Sequence, residues 1–177
     1  MTALSDVHVL LVDDNDQMRL LVRSLLRAGG LTNISDARSV AQAFETMRER
    51  SVDLVIVDWM MQPVDGLTFT RMMRRDSASP DPYMPNLMLT AHTEASRVAA
   101  ARDAGVTGFI KKPISTRLLF DRVASALTDT RMFVSSEDFC GPDRRRGVDS
   151  GYGGPFRRAT DNALRIETVD LDDVRVA

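Results

Sequence analysis

Short apolar runs alternate with helical patterns five times between residues 8 and 127, and this alternation constrains the fold more than any other feature of the chain. The runs are residues 8–12 (HVLLV), a weaker one around Ile34 (NIS), 53–59 (DLVIVDW), 86–90 (NLMLT) and 108–110 (GFI). Each has strand length, and residues 53–59 are the richest in the β-branched residues that fit a sheet. Between the runs, apolar residues recur at helical spacing. Met18, Leu21, Leu25 and Leu26 lead to a stop at Gly29, and Val40, Ala43, Phe44 and Met47 share one face of a helix over 40–48. Further helices are predicted over 66–75, over 94–104 with Gly105 as its cap, and over 116–127 through Leu119, Val123 and Leu127. Strands that alternate with helices pair in parallel through crossover connections, so the expected fold is α/β, a doubly wound five-stranded parallel sheet.

The pattern stops at residue 128. Residues 129–177 are dominated by Gly, Pro, Arg and Asp, hold no persistent period, and are too few for an ordinary second domain with its own core. The chain therefore divides into a domain over 6–128 and an Arg/Gly/Pro-rich extension over 129–177, expected to be poorly ordered without a ligand. The net charge of −2 gives no global field directed at nucleic acid or an anionic membrane. Cys140 is the single cysteine, which excludes an intrachain disulfide. The opening MTALSDVHV lacks a signal-peptide pattern, and no run approaches the ~18 apolar residues of a spanning helix, so a cytoplasmic location is expected. No helix-turn-helix pattern follows residue 128. With His8 and His92 the only histidines, no second catalytic cluster is visible, and the chain is not expected to be an enzyme.

In open α/β sheets, ligands gather at the carboxyl edge of the strands. There the sequence places Asp13 and Asp14 after the first strand, Asp58 after the third, Thr90 and Ala91 after the fourth, and Lys111 and Lys112 before Pro113 after the fifth. Singly, these residues have plainer readings: Asp14 or Asp16 as a helix cap, Asp58 as a turn residue ahead of MQPVDG. Together, three carboxylates repel one another unless a cation joins them. Mg²⁺ matches oxygen ligands and shares its site readily with a phosphoryl group, while a lysine opposes that group as a point charge. The set suits attack by a carboxylate on phosphorus.

The motifs LLVDDN, LVIVDWMMQPVDG, LMLTAHT and GFIKKP, in this order, resemble the receiver domain of two-component response regulators over residues 6–128. The resemblance implies a flavodoxin-like fold with Asp58 as phosphate acceptor. It implies Mg²⁺ held by Asp13, Asp14, Asp58 and the carbonyl of Met60. Thr90 is the implied switch hydroxyl, with Ala91 beside it, Lys112 the phosphoryl-binding lysine and Phe109 the aromatic switch. The implied phosphodonor is a histidine kinase or phosphotransfer protein, and the implied output is a changed protein-binding face. A phosphate shuttle between kinases is the alternative. The family's proline directly after the loop methionine is replaced by Gln62, with Pro63 one residue later, and the spacing from Asp58 to Gly66 is kept.

One feature lies outside the domain. FCGPDRR (139–145) and YGGPFRR (152–158) are two copies of one pattern. The reading is that each Gly-Pro sets a turn that aims the following arginines. Arg144, Arg145, Arg157 and Arg158 then grip guanine edges or phosphates, with Phe139 and Tyr152 as stacking platforms. A duplicated hook suits a two-fold ligand such as cyclic di-GMP, and the extension resembles arginine-rich tails of some stand-alone receivers. The competing readings are a solvated tail whose repeat is a chance echo, a protein-contact arm, and non-specific nucleic-acid binding, which the net charge of −2 disfavours.

Overall fold

The structure, a computed structural model, describes residues 5–91, 95–136 and 139–143. Five strands alternate with five helices: β1 (Val9–Val12), α1 (Asp16–Ala28), β2 (Ile34–Ala37), α2 (Val40–Glu49), β3 (Leu54–Asp58), α3 (Gly66–Arg75), β4 (Asn86–Thr90), α4 (Ala95–Asp103), β5 (Gly108–Lys111) and α5 (Thr116–Leu127). The strands form one parallel sheet in the order β2-β1-β3-β4-β5. This is the doubly wound sheet expected from the sequence.

The two faces of the sheet separate the core into two clusters by the period-two alternation of strand side chains. Leu10, Val12, Val55, Val57 and Met88 meet α2 and α3 through Phe44, Met47, Phe69 and Met73. The intervening Val9, Leu11, Ile56, Leu87, Leu89 and Ile110 meet α1 and α5 through Val22, Leu26, Leu119 and Val123. Both faces are covered, so β1, β3 and β4 are buried along their whole length, and apolar except for Asp58, Asn86 and Thr90 at strand ends. No helix among the described residues is long and apolar enough to cross a membrane.

The cap of α1 differs from both candidates read in the sequence. Asn15, not Asp14 or Asp16, accepts hydrogen bonds from the N–H groups of Gln17 and Met18 at 3.0 and 3.1 Å. Asp16 lies in the first turn and pairs with Arg19. Asp14 is thereby free of a capping role.

The start of the extension also differs from the irregular chain expected there. Residues β6 (Phe133–Ser135) and β7 (Cys140–Pro142) form a two-stranded antiparallel hairpin that packs on α3. Its ladder is closed by Ser136 N–H to Phe139 O at 2.7 Å and Asp143 N–H to Met132 O at 2.8 Å. Gly141 and Pro142 therefore lie within a strand, and the arginines that the expected turn would aim lie outside the described residues. The glycine has a packing reason instead: a Cβ on Gly141 would stand 2.6 Å from the Cα of Gly105 and 3.0 Å from the Phe139 ring. Side-chain periodicity could not reveal strands three residues long whose seat is made by backbone contact.

Candidate functional site

The sheet register sets what meets at its carboxyl edge. Val12 pairs with Val57, Asp58 with Leu89, and Thr90 with Lys111, so the residues after β1, β3, β4 and β5 end on one rim. Asp13 and Asp58 are buried there at 3% and 6% exposure, and Asp14 is exposed. Lys112 spans the rim: its Nζ stands 2.8 Å from Asp58 Oδ1. Its own N–H donates to the Thr90 carbonyl at 2.8 Å, which fixes the lysine beside the buried threonine.

Asp13 carries the electrostatic cost of this gathering. Burial pushes its carboxyl pKa up to about 6, and the charges of Asp58 and Asp14 add to the rise; the Asn15 N–H and Lys112 pull the other way. One oxygen, Oδ1, accepts from the Asn15 N–H at 2.8 Å. The other, Oδ2, is buried with no hydrogen-bond partner. Asp14 Oδ2 accepts the Gln62 N–H at 3.1 Å, tying the loop after β1 to the loop after β3.

No group of three His, Cys, Asp or Glu side chains converges into a ready-made metal cage among the described residues. Mg²⁺ does not require one: it keeps several waters and uses one or two carboxylates. A buried carboxylate oxygen without a partner, beside two further carboxylates, is the donor chemistry that such a hard cation satisfies. The residues present therefore fit the ion.

Two supports of the site carry no signal in the acidic motif itself. A Cβ on Gly66 would stand 2.2 Å from the Asp58 carbonyl oxygen, so only glycine lets α3 begin this close to the acceptor loop. Its N–H donates to Trp59 O at 3.0 Å. Arg19, buried on α1, donates to the Asp13 carbonyl at 2.5 Å and pairs with Asp16. The sequence signal for Gly66 is a glycine at the first helical position after turn residues; for Arg19 it is only a basic residue on a helix.

Phe109 is half-buried on β5 opposite Met88 and packs against the α2–α3 cluster. Ala91 is exposed just after Thr90, and Met60 is 62% exposed at the mouth. His8 lies at the far end of β1, with its ring nitrogens 2.6 Å from Ser51 O and 2.8 Å from Ser35 Oγ, a structural position. Phe139 is half-buried in the hairpin. His92, Arg144, Arg145, Tyr152, Arg157 and Arg158 lie outside the described residues.

The strand order 2-1-3-4-5 is that of a doubly wound α/β domain, with the acids and the lysine gathered at the carboxyl edge of its strands. The response regulator receiver domain profile matches residues 9–124, more than half of the chain, and the chain belongs to that family. It is similar to the chemotaxis protein CheY of Pseudomonas aeruginosa, with 30% identity over 117 residues, 66% of this chain and 93% of that protein. Among solved structures it resembles the chemotaxis protein CheY4 of Vibrio cholerae, with a TM-score of 0.62 and 26% identity over 68% of this chain and 98% of that one. A putative response regulator from Chloroflexus aurantiacus gives a TM-score of 0.61 and 29% identity over 68% and 98%.

Proposed function

We propose that the chain is a phosphorylation-switched response regulator that accepts a phosphoryl group on Asp58 from a histidine kinase or phosphotransfer protein. The observation that carries this reading is the buried Asp58 carboxylate held by Lys112 at 2.8 Å, near enough to the buried Asp13 for their charges to interact. An Asp58 oxygen attacks phosphorus in line. The P–O bond forms as the P–N bond of the phosphohistidine breaks, and the electron pair leaves with the imidazole. Asp13, Asp14, Asp58 and the Met60 carbonyl would hold a Mg²⁺ ion, which when bound would neutralise charge on the incoming anion. Lys112 orients the acceptor carboxylate beforehand and then serves the phosphoryl oxygens as a point charge. Thr90, at the end of β4, supplies the hydroxyl that responds to the new group, and Phe109 on the neighbouring strand repacks with it. The result is a population shift in the face presented to a protein partner.

The test is labelling with a small phosphodonor and Mg²⁺. Asp58→Asn keeps the shape and removes the anionic nucleophile, so only the parent should label. Equal labelling of the two forms would contradict the reading.

Cyclic di-GMP as a ligand of the extension is supported by the sequence duplication alone. Calorimetric titration of the full chain against cyclic di-GMP and single-stranded RNA tests it. Saturable heat with the dinucleotide, lost when Arg144, Arg145, Arg157 and Arg158 become alanine, supports the hook; no heat, or equal affinity for RNA, leaves the extension as a protein-contact arm or a solvated leash.

A further inference from the structure

Arg74, near the end of α3, is a buried cation at 3% exposure. Its guanidinium donates to the carbonyls of Gly105 (3.1 Å), Pro82 (2.6 Å) and Met84 (2.8 Å) and to Asn86 Oδ1 (3.3 Å). These four acceptors are neutral, and burial pulls the guanidinium down to about 10, offset in part by Asp81 and Cys140. The face of Phe133 from the hairpin covers it at 5.0 Å, and Tyr83 meets the same ring edge-on at 5.3 Å. A charge so placed depends on every one of these partners.

Hydrogen bonds continue from Arg74 toward the acceptor site. Asn86, fully buried at the start of β4, donates through Nδ2 to Thr70 Oγ1 at 2.9 Å. Thr70, also fully buried, donates to the Gly66 carbonyl at 2.9 Å. Gly66 is the residue whose N–H holds Trp59 O and whose missing side chain admits the Asp58 carbonyl. A second branch runs from Asn86 Oδ1 to the Thr107 N–H at 3.0 Å and from Thr107 O to Arg131 Nη2 at 2.9 Å, just ahead of β6. The hairpin at the amino edge of the sheet is thus joined to the loop at its carboxyl edge by a run of buried and part-buried contacts. Backbone contact fixes the hairpin's seat: Gly105, at a φ of +89°, would carry its Cβ only 2.3 Å from Cys140 O.

We propose that Phe133, Arg74, Asn86 and Thr70 are positioning residues for the Asp58 loop, so that docking of the β6–β7 hairpin and occupancy of Asp58 stabilise one another. The inference rests on the phosphoacceptor reading above. Coupling of this kind is reciprocal: a hairpin that favours the occupied loop must itself be held more firmly when the loop is occupied. It also gives the rest of the extension a route to the phosphoryl site, which lies across the sheet from where the extension leaves the domain. The measurement therefore reads both ends of the relay.

Amide hydrogen exchange of the full chain does this, with Trp59 fluorescence reporting the acceptor site. The ligand is Mg²⁺ with beryllofluoride, a stable mimic of the phosphoryl group. The N–H groups of Ser136 and Asp143, which close the hairpin ladder, should exchange on the order of fivefold more slowly when it is bound. Thr70→Val, which removes the relay hydroxyl at nearly constant shape, should still give a Trp59 response at saturating beryllofluoride, but with its affinity weakened by the same factor as the lost slowing; Thr70→Ser should restore both. A hairpin that serves stability alone would show no slowing in the parent, or equal slowing in Thr70→Val, and either result overturns the inference while the phosphoacceptor reading stands. If Trp59 fails to respond as well, both readings fall.

Discussion

Lys112 Nζ lies 2.8 Å from Asp58 Oδ1, and through this contact the loop after β5 closes over the end of β3. Neither residue is well solvated: the side chains are 22% and 8% exposed. Replacing Lys112 with Met removes the partner and leaves Asp58 buried among like charges. The metal-free protein should lose about 1–3 kcal/mol of stability, with much of it regained in Mg²⁺, as thermal melts of both variants with and without the ion will show. A melt unchanged by Lys112→Met would mean that the ion pair contributes nothing before phosphorylation.

The raised pKa of Asp13 sets the sign of a pH effect. Its carboxyl titrates near 6 in the folded protein and near 3.8 unfolded, so the folded state binds the proton more tightly. That contribution to stability is complete below the unfolded value and is lost as pH rises through about 6. Metal-free stability should therefore fall between about pH 4 and pH 6. Mg²⁺ should raise the melting temperature more at pH 7.5 than at pH 5, because the proton competes for the ligand. Asp13→Asn should flatten the profile and abolish most of the Mg²⁺ response.

Gly66→Ala forces a methyl group against backbone, 2.2 Å from the Asp58 carbonyl oxygen, where no side chain can swing aside. A cost of about 1–3 kcal/mol is expected. The acceptor loop should be displaced with it, so phosphorylation by a small donor should slow even at temperatures where the variant is fully folded. Normal labelling kinetics in a destabilised variant would separate the two effects and remove Gly66 from the site.

The receiver unit should run to Asp143 rather than stop at residue 128. Phe133 is buried, stacked over Arg74 and edge-on to Tyr83. Truncation after residue 130 should lower the midpoint of urea unfolding, while truncation after Asp143 should leave it near that of the full chain. Phe133→Ala alone should cost about 3–5 kcal/mol if the ring packs as a core residue. Equal midpoints for the two truncations would return the boundary to the end of α5.

Met60 stands 62% exposed at the mouth of the site, and its thioether cannot position an attacking water by a strong hydrogen bond. The acyl phosphate should therefore be lost slowly. Met60→Asn should speed its loss several-fold, measured by the decay of label after the donor is removed. An unchanged decay would assign the lifetime to other residues.

Most of the sheet was legible because β1, β3 and β4 carry apolar runs buried on both faces, whereas the helices are apolar on one side only. α3, β4 and α5 begin and end where the periodicity places them. The acid pair, Asp58, Thr90 and Lys112 were legible as residues that follow strands, and parallel register then brings them to one rim. The hidden parts depend on contacts that no local pattern encodes. Asn15 rather than a neighbouring aspartate caps α1 because cap geometry is decided by which side chain faces the helix end. Arg74 reads as an ordinary basic residue near a helix C-terminus, and only the hairpin and the chain around Met84 make it a buried one. Gly141 and Pro142 read as a turn, but their short strand is held by a glycine-on-glycine contact with Gly105.

The most direct test of the phosphoacceptor account is to locate the phosphoryl group chemically. The full chain is phosphorylated with a small donor in Mg²⁺ and reduced with borohydride, which converts an aspartyl phosphate to homoserine. Peptides are then sequenced by mass spectrometry. The account predicts homoserine at position 58 and at no other aspartate, dependent on Mg²⁺ and absent from Asp58→Asn. Homoserine at Asp13 or Asp14, or an intact Asp58 in protein that has taken up label, would contradict it.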